Sequence, residues 1–210
     1  MHAGDTDLGR KAASMVTSPG WDGYTALGAT SVSVTMLLAV GVVMSWSTGR
    51  EFIDGTVVGL FAIPSRFGII AAAKMAVVLT WATILGAVEA GALTTAGLLL
   101  GLGPEGAAGC CTTLMLVAAL LGASVLPVMW AATRWRGYLA GIGLTLAILV
   151  VTNLAAGFGL GSYVPWSIPI VWASHQTEVS TPLLATPVMT AAIGAWVTLR
   201  SWDRLQLGAD

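Results

Sequence analysis

The chain has 210 residues, of which 56% are hydrophobic and only 9% are charged, and its mean hydropathy is +0.85. Soluble domains carry about 25% charged residues, so the composition excludes a soluble fold and predicts an all-α polytopic membrane protein. The net charge of -1 gives no basis for nucleic-acid binding.

Five apolar stretches follow a polar N-terminal segment, 1–23, which lacks the apolar core of a signal peptide. A bilayer has a hydrocarbon core of roughly 30 Å, which about 20 helical residues span. We therefore predict a transmembrane domain over 24–210, and Pro127 is expected to kink its third span. The adjacent Cys110 and Cys111 are expected to pack as small hydrophobes, because adjacent positions strain a disulfide. The predicted spans are 24–46, 69–102, 110–132, 138–160 and 183–199.

The loop between the first two spans is the most polar internal part of the chain. Thr48 and Glu51 have the spacing of a capping box, which predicts a helix start. Apolar residues then recur at helical spacing as far as Phe61, and Pro64 is expected to end the helix. The pattern predicts a short amphipathic helix at the membrane surface, which either lies among the lipid headgroups or docks on a soluble partner.

The cations are distributed unevenly between the two sides of the predicted bundle. The loop 47–74 carries three, the turn 133–137 two and the tail 200–210 two, whereas the turn 103–109 and the loop 161–182 carry none. Cytoplasmic loops are enriched in Lys and Arg, so this distribution predicts a cytoplasmic C-terminus and an external N-terminus. Tryptophans near both predicted boundaries, including Trp202 on the inner side, are expected to form interfacial belts.

The polar loop resembles a known family. The first cytoplasmic loop of the permease subunits of type-2 ABC exporters has the pattern RE…DGT…L…A.P.SR…AK, and the bacitracin-export branch is the most similar. In this chain the matching residues are Arg50-Glu51-Phe52-Ile53-Asp54-Gly55-Thr56, Ala62-Ile63-Pro64-Ser65-Arg66 and Lys74. The hydropathy pattern extends the resemblance from about Tyr24 onward.

The resemblance implies a bacterial plasma-membrane permease that works as a homodimer or with a close homologue. It implies that a separate ABC ATPase subunit binds ATP and Mg, whereas this chain has no nucleotide-binding motif and is not itself the enzyme. The loop would transmit nucleotide-driven motion to the spans. The coupling residues implied by the motif are Arg50, Glu51, Asp54, Gly55, Thr56, Pro64 and Arg66.

The chain departs from the family in its number of spans. Family members usually have six and begin in the cytoplasm with a helix that has no counterpart before residue 24. Three explanations are open: the protein has five spans, its start was assigned too late, or residues 1–20 contain a feature that the pattern does not reveal.

The loop 161–182 is too apolar for a freely solvated loop. Pro165, Trp166, Pro169 and Trp172 indicate interrupted backbone, which at membrane depth is tolerated only against protein or a cavity. The resemblance implies a re-entrant hairpin here on the outer side, and the alternative is an interfacial loop held by the two tryptophans. His175 and Glu178 alone are too few ligands to predict a metal site.

Glu89 is the one ionisable residue deep in a predicted span, about 22 Å along the helix from Lys74. No Lys or Arg lies at that depth, so we expect a protonated carboxyl or one that faces a wet cavity. Glu89 and Asn153 are therefore candidates for a transport path or a subunit seam. The alternative is that Glu89 hydrogen-bonds to its surroundings through Asn153, Thr94 or Thr95.

Three functions from different classes are consistent with these features. The first is the permease subunit of an ABC exporter, whose substrate could be a hydrophobic drug, a peptide antibiotic or a lipid. The second is a non-transporting docking, immunity or sensor subunit that uses the same loop. The third is an ion-coupled secondary transporter, which would need an ion site built from more than Glu89.

Overall fold

The structure is a computed structural model that describes residues 20–60, 66–174 and 180–205. The predictions for residues 1–19, Pro64, His175 and Glu178 lie outside these ranges. Two short 3-10 turns, Gly161–Tyr163 and Thr181–Leu184, accompany the α-helices. The α-helices are α1 (Trp21–Ile53), α2 (Val57–Leu60), α3 (Phe67–Leu99), α4 (Ala107–Ser124), α5 (Pro127–Arg134), α6 (Tyr138–Gly157), α7 (Ile168–Ser174) and α8 (Ala185–Asp203).

Five helical stretches in the described part of the chain are long and apolar enough to cross a membrane. They are α1, α3, α4 together with α5, α6, and the stretch Pro182–Asp203 that contains α8. This confirms the prediction of an all-α fold with five spans. The bounds differ from the predicted ones by a few residues, and the largest difference is at the end of α1.

Helix α1 is the centre of the bundle. It packs against α3, α4, α5, α6 and α7, and 50% of its most apolar window is buried, against 61% for the span of α4 and α5 and 22% for α3 and for the α8 span. Its inward face carries the fully buried Val32, Leu37, Val40 and Met44. Any displacement of α1 therefore changes the packing of most of the other helices.

Small residues let the C-terminal half of α1 approach the N-terminal half of α6 closely. A Cβ at Gly49 would overlap the backbone nitrogen of Tyr138, and one at Gly41 would overlap the side chain of Thr145. Helices in lipid associate through close backbone approach of this kind, because no hydrophobic driving force acts between them there. The two glycines thus fix the antiparallel packing of α1 on α6.

The third span is interrupted at Pro127, as predicted. Proline has no N–H, and the N–H of Val128 donates to the carbonyl of Val125 at 2.9 Å instead of to Ser124 one turn back. The carbonyl of Ser124 accepts a hydrogen bond from the indole nitrogen of Trp166 at 3.0 Å. The kink thus exposes a backbone acceptor that the segment after α6 satisfies.

The predicted capping box is wrong, whereas the amphipathic surface helix stays a prediction, because its predicted end lies outside the described residues. Helix α1 continues through the predicted start, so Thr48 lies inside it, and its hydroxyl is buried without a hydrogen-bond partner. After α1 ends at Ile53, the described backbone turns and forms only the four-residue α2 before residue 61. The physical reason is tertiary: an ion pair with α3 stabilises the polar end of α1.

Trp202 is also not a belt residue. Its side chain is fully buried, its indole nitrogen donates to the Thr133 hydroxyl at 2.9 Å, and its ring meets the Phe52 ring edge-on at 6.3 Å. The residue therefore holds the ends of α8, α5 and α1 together. Trp46, Trp135 and Trp196 remain exposed, as expected for belt positions.

Candidate functional site

Every positively charged side chain of the described residues lies at one end of the bundle. The Trp202 contacts join the ends of α1, α5 and α8 there, and Gly68 at the start of α3 contacts Asp203 at the end of α8. The cations are Arg50, Arg66, Lys74, Arg134, Arg136, Arg200 and Arg204. At the opposite end, Trp21 donates to the carbonyl of Gly103 at 2.7 Å.

The motif residues Asp54, Gly55 and Thr56 form an exposed turn at the cation-rich end. Gly55 has a φ of 68°, a left-handed conformation that glycine adopts without strain. The turn is closed by a hydrogen bond from the N–H of Val58 to the carbonyl of Gly55 at 3.2 Å. The sequence thus breaks α1 with a glycine, and the break presents the Asp54 carboxylate to the surroundings, while the Thr56 hydroxyl donates to the carbonyl of Glu51 at 3.4 Å.

The side chain of Glu51, the first acidic residue of the motif, faces the neighbouring helix α3 rather than the surroundings. Its carboxylate lies 2.7 Å from the Lys74 ammonium on α3, and only about a fifth of each side chain is exposed. Lys74 also donates to the carbonyl of Ser47 at 2.8 Å. The structure thus places Lys74 in a clamp between α1 and α3.

The two remaining cations of the motif have different surroundings. The Arg50 guanidinium lies 4.6 Å from the centre of the Trp46 ring, a cation–π contact within α1. Arg66 is exposed and has the extended backbone of an N-cap residue at the start of α3. The motif therefore divides into a buried part, Glu51 with Lys74, and an exposed part that surrounds Asp54.

Residues outside the motif shape the same region. The Asp203 carboxylate accepts a hydrogen bond at 3.0 Å from the N–H of Gly68, so the end of α8 supplies the acceptor that the first turn of α3 lacks locally. Asp203 lies 135 residues away in sequence. The sequence does not predict this contact, because no local pattern connects an acidic residue in the tail to a helix start so far away.

Glu89 lies on α3 and faces α1. Its carboxyl lies near the side chain of Thr35, and one oxygen, Oε2, is buried without a hydrogen-bond partner. None of the predicted partners makes this contact: Asn153 donates to the carbonyl of Leu149 in its own helix, and Thr94 and Thr95 bond within α3. Glu89 and Asn153 are on different helices and do not form a shared site.

The segment after α6 packs on the bundle. Trp166 reaches the carbonyl of Ser124 at the α4–α5 break, and α7 contacts α1 and α4. Pro169 is buried at the start of α7, and Trp172 is half-buried against the core. The re-entrant assignment remains a prediction, but these contacts give the segment the protein surroundings that it requires.

The fold and the cation-rich end define a multi-pass membrane protein with an exposed break between its first two spans. A family model described as ABC-2 family transporter protein matches residues 10–152, more than half of the chain. The chain therefore belongs to this family and is a permease component of an ABC transporter. No curated protein and no solved structure matches it.

Proposed function

We propose that the chain is the permease subunit of an ABC exporter of the bacitracin-export-like branch. A separate ATPase subunit would bind ATP and Mg and dock at the cation-rich end, which would lie in the cytoplasm together with the C-terminus. Two permease copies in a bacterial plasma membrane would enclose the path. The family match supports the permease assignment, and the loop motif supports the branch and the direction.

The observation that carries the docking proposal is the exposed turn at Asp54, Gly55 and Thr56. It ends α1, which packs against most of the bundle, and the Glu51–Lys74 clamp ties the same end of α1 to α3. A partner that pushes on this turn would move two spans together. ATP-driven closure of the partner would thus change the packing on both sides of α1.

The test is to isolate the chain from its native membrane in mild detergent and to assay for a co-purifying ATPase. Asp54→Asn is the test variant, because Asp54 is exposed in the turn and its replacement leaves the Glu51–Lys74 pair intact. Asp22→Asn is the matched control, since Asp22 is an exposed acid at the opposite end. We expect wild type and Asp22→Asn to retain the ATPase, and Asp54→Asn to lose it or to uncouple it.

The alternatives predict different results. A docking or sensor subunit would retain the partner, but ATP hydrolysis would not depend on assembly with the permease. An ion-coupled transporter would yield no ATPase at all and would transport after ATP depletion. That mechanism would also have to use Glu89, one of whose carboxyl oxygens is buried without a hydrogen-bond partner.

A further inference from the structure

The exposed face of α8 changes from apolar to cationic along its length. Met189, Ile193 and Trp196 are 61%, 59% and 64% exposed, and Arg200 and Arg204 follow, both exposed. Steps of three or four residues place all five on one helix face. A membrane leaflet presents acyl chains, an interface and phosphates in the same order.

A surface cavity of about 240 Å³ lies at the cationic end of this face. Its walls are Trp196, Val197, Arg200, Ser201 and Arg204. Two guanidinium groups one helical turn apart, with a hydroxyl beside them, are donors suited to phosphate oxygens, which arginine binds in a bidentate manner. The cavity therefore combines an aromatic wall with an anion-binding rim.

The two arginines carry charge that no described acidic side chain neutralises by an ion pair. Asp203, their neighbour in sequence, faces α3 and accepts the hydrogen bond from Gly68. In the motif, by contrast, Lys74 is paired with Glu51. The α8 face is thus complementary to an anionic ligand that has an apolar portion.

We propose that this face binds one anionic phospholipid. Arg200, Ser201 and Arg204 would hold the phosphate, Trp196 would lie at the glycerol level, and an acyl chain would run along Ile193 and Met189. A soluble anion would not use the apolar half of the stripe, and a soluble protein would not reach it within the bilayer. The proposal requires only that the chain is in a membrane, so it is independent of the ATPase and of the direction of transport.

The test is native mass spectrometry of the full chain in detergent, titrated with phosphatidylglycerol or with phosphatidylcholine. We expect wild type to bind phosphatidylglycerol more tightly. Arg200→Gln or Arg204→Gln should weaken binding of the first lipid about fivefold, and the double variant should weaken it roughly 30-fold. These values follow from about 1 kcal/mol per cation near an anionic surface. Arg134→Gln is the charge-matched control, because it removes one exposed cation from the same end of the bundle, and it should change binding less than about twofold.

Several results would overturn the proposal. Equal weakening by Arg134→Gln and Arg200→Gln would show diffuse attraction rather than a site, and equal binding of the two lipids would remove the headgroup preference. Displacement by inorganic phosphate at similar concentration would indicate a free-anion site. Normal lipid binding by the double variant, with loss of a co-purifying ATPase, would assign the arginines to protein docking. An unchanged melting temperature of each variant verifies that the exposed substitutions leave the fold intact.

Discussion

At the residue scale, the Glu51–Lys74 pair stabilises the polar end of the first span. The sequence assigned Glu51 to partner contact, together with Asp54. In the structure the two acids differ: Glu51 is largely buried against Lys74, whereas Asp54 is exposed. Since removal of one member of a buried pair leaves an uncompensated charge, the pair is costly to break whatever its net contribution to stability.

Glu51→Gln should therefore lower the melting temperature of the purified chain in mild detergent. We expect a loss of about 2 kcal/mol, below the 3–5 kcal/mol typical of fully buried pairs, because each side chain keeps some exposure. The exchange Glu51→Lys with Lys74→Glu should recover part of the loss. Asp54→Asn is the control and should change stability by less than about 0.5 kcal/mol. Equal melting temperatures for Glu51→Gln and Asp54→Asn would rule out the clamp.

The partners of single residues were the least predictable feature. Trp166 bonds to Ser124 across 42 residues, and Asp203 bonds to Gly68 across 135. Both contacts satisfy backbone groups at places where a helix is broken or begins. The sequence indicates such places through Pro127 and through the start of the predicted span 69–102, but only tertiary structure selects which distant side chain reaches them.

At the element scale, hydropathy alone located all five spans, because a lipid-exposed helix must be apolar over most of its length. The helix ends were less accurate. Residues 47–53 are polar enough to suggest a loop, but they continue α1 because Lys74 on α3 neutralises Glu51. The kink was predictable, since proline removes a helical hydrogen bond regardless of its neighbours.

The close packing of α1 on α6 gives a prediction with an internal control. Gly49→Ala should destabilise the chain by about 1–3 kcal/mol, because the new methyl group would overlap the backbone of Tyr138. Gly143→Ala, on α6 with open space at its Cβ position, should be neutral or stabilise by up to about 1 kcal/mol through helix propensity. Thermal unfolding in the same detergent measures both. A Gly49→Ala variant as stable as Gly143→Ala would contradict the packing.

The start of α3 depends on α8. Asp203→Ala should speed hydrogen exchange of the Gly68 amide about fivefold, since a lost N-terminal acceptor costs roughly 1 kcal/mol. Asp203→Asn keeps a side-chain oxygen and should show a smaller change. Amides in the middle of α3 serve as the reference. If Gly68 exchanges at the same rate in wild type and Asp203→Ala, the two helices are not coupled in this way.

At the scale of the whole molecule, seven cations gather at the end where α1, α3, α5 and α8 meet. The family match identifies the chain as a member of the ABC-2 transporter family. A central helix that ends in an exposed turn gives a docked partner a direct mechanical connection to the bundle. The cytoplasmic location of this face and its ATPase partner remain proposals.

The most direct measurement places a photo-crosslinking amino acid at Thr56 in the full chain, within the native membrane, and at Asp22 as the control. Both positions are exposed, but they lie at opposite ends of α1. We predict a covalent adduct between position 56 and a nucleotide-binding ATPase, and none from position 22. An ATPase adduct only from position 22, or no ATPase adduct from position 56 in a membrane that contains the active transporter, would contradict docking at this turn.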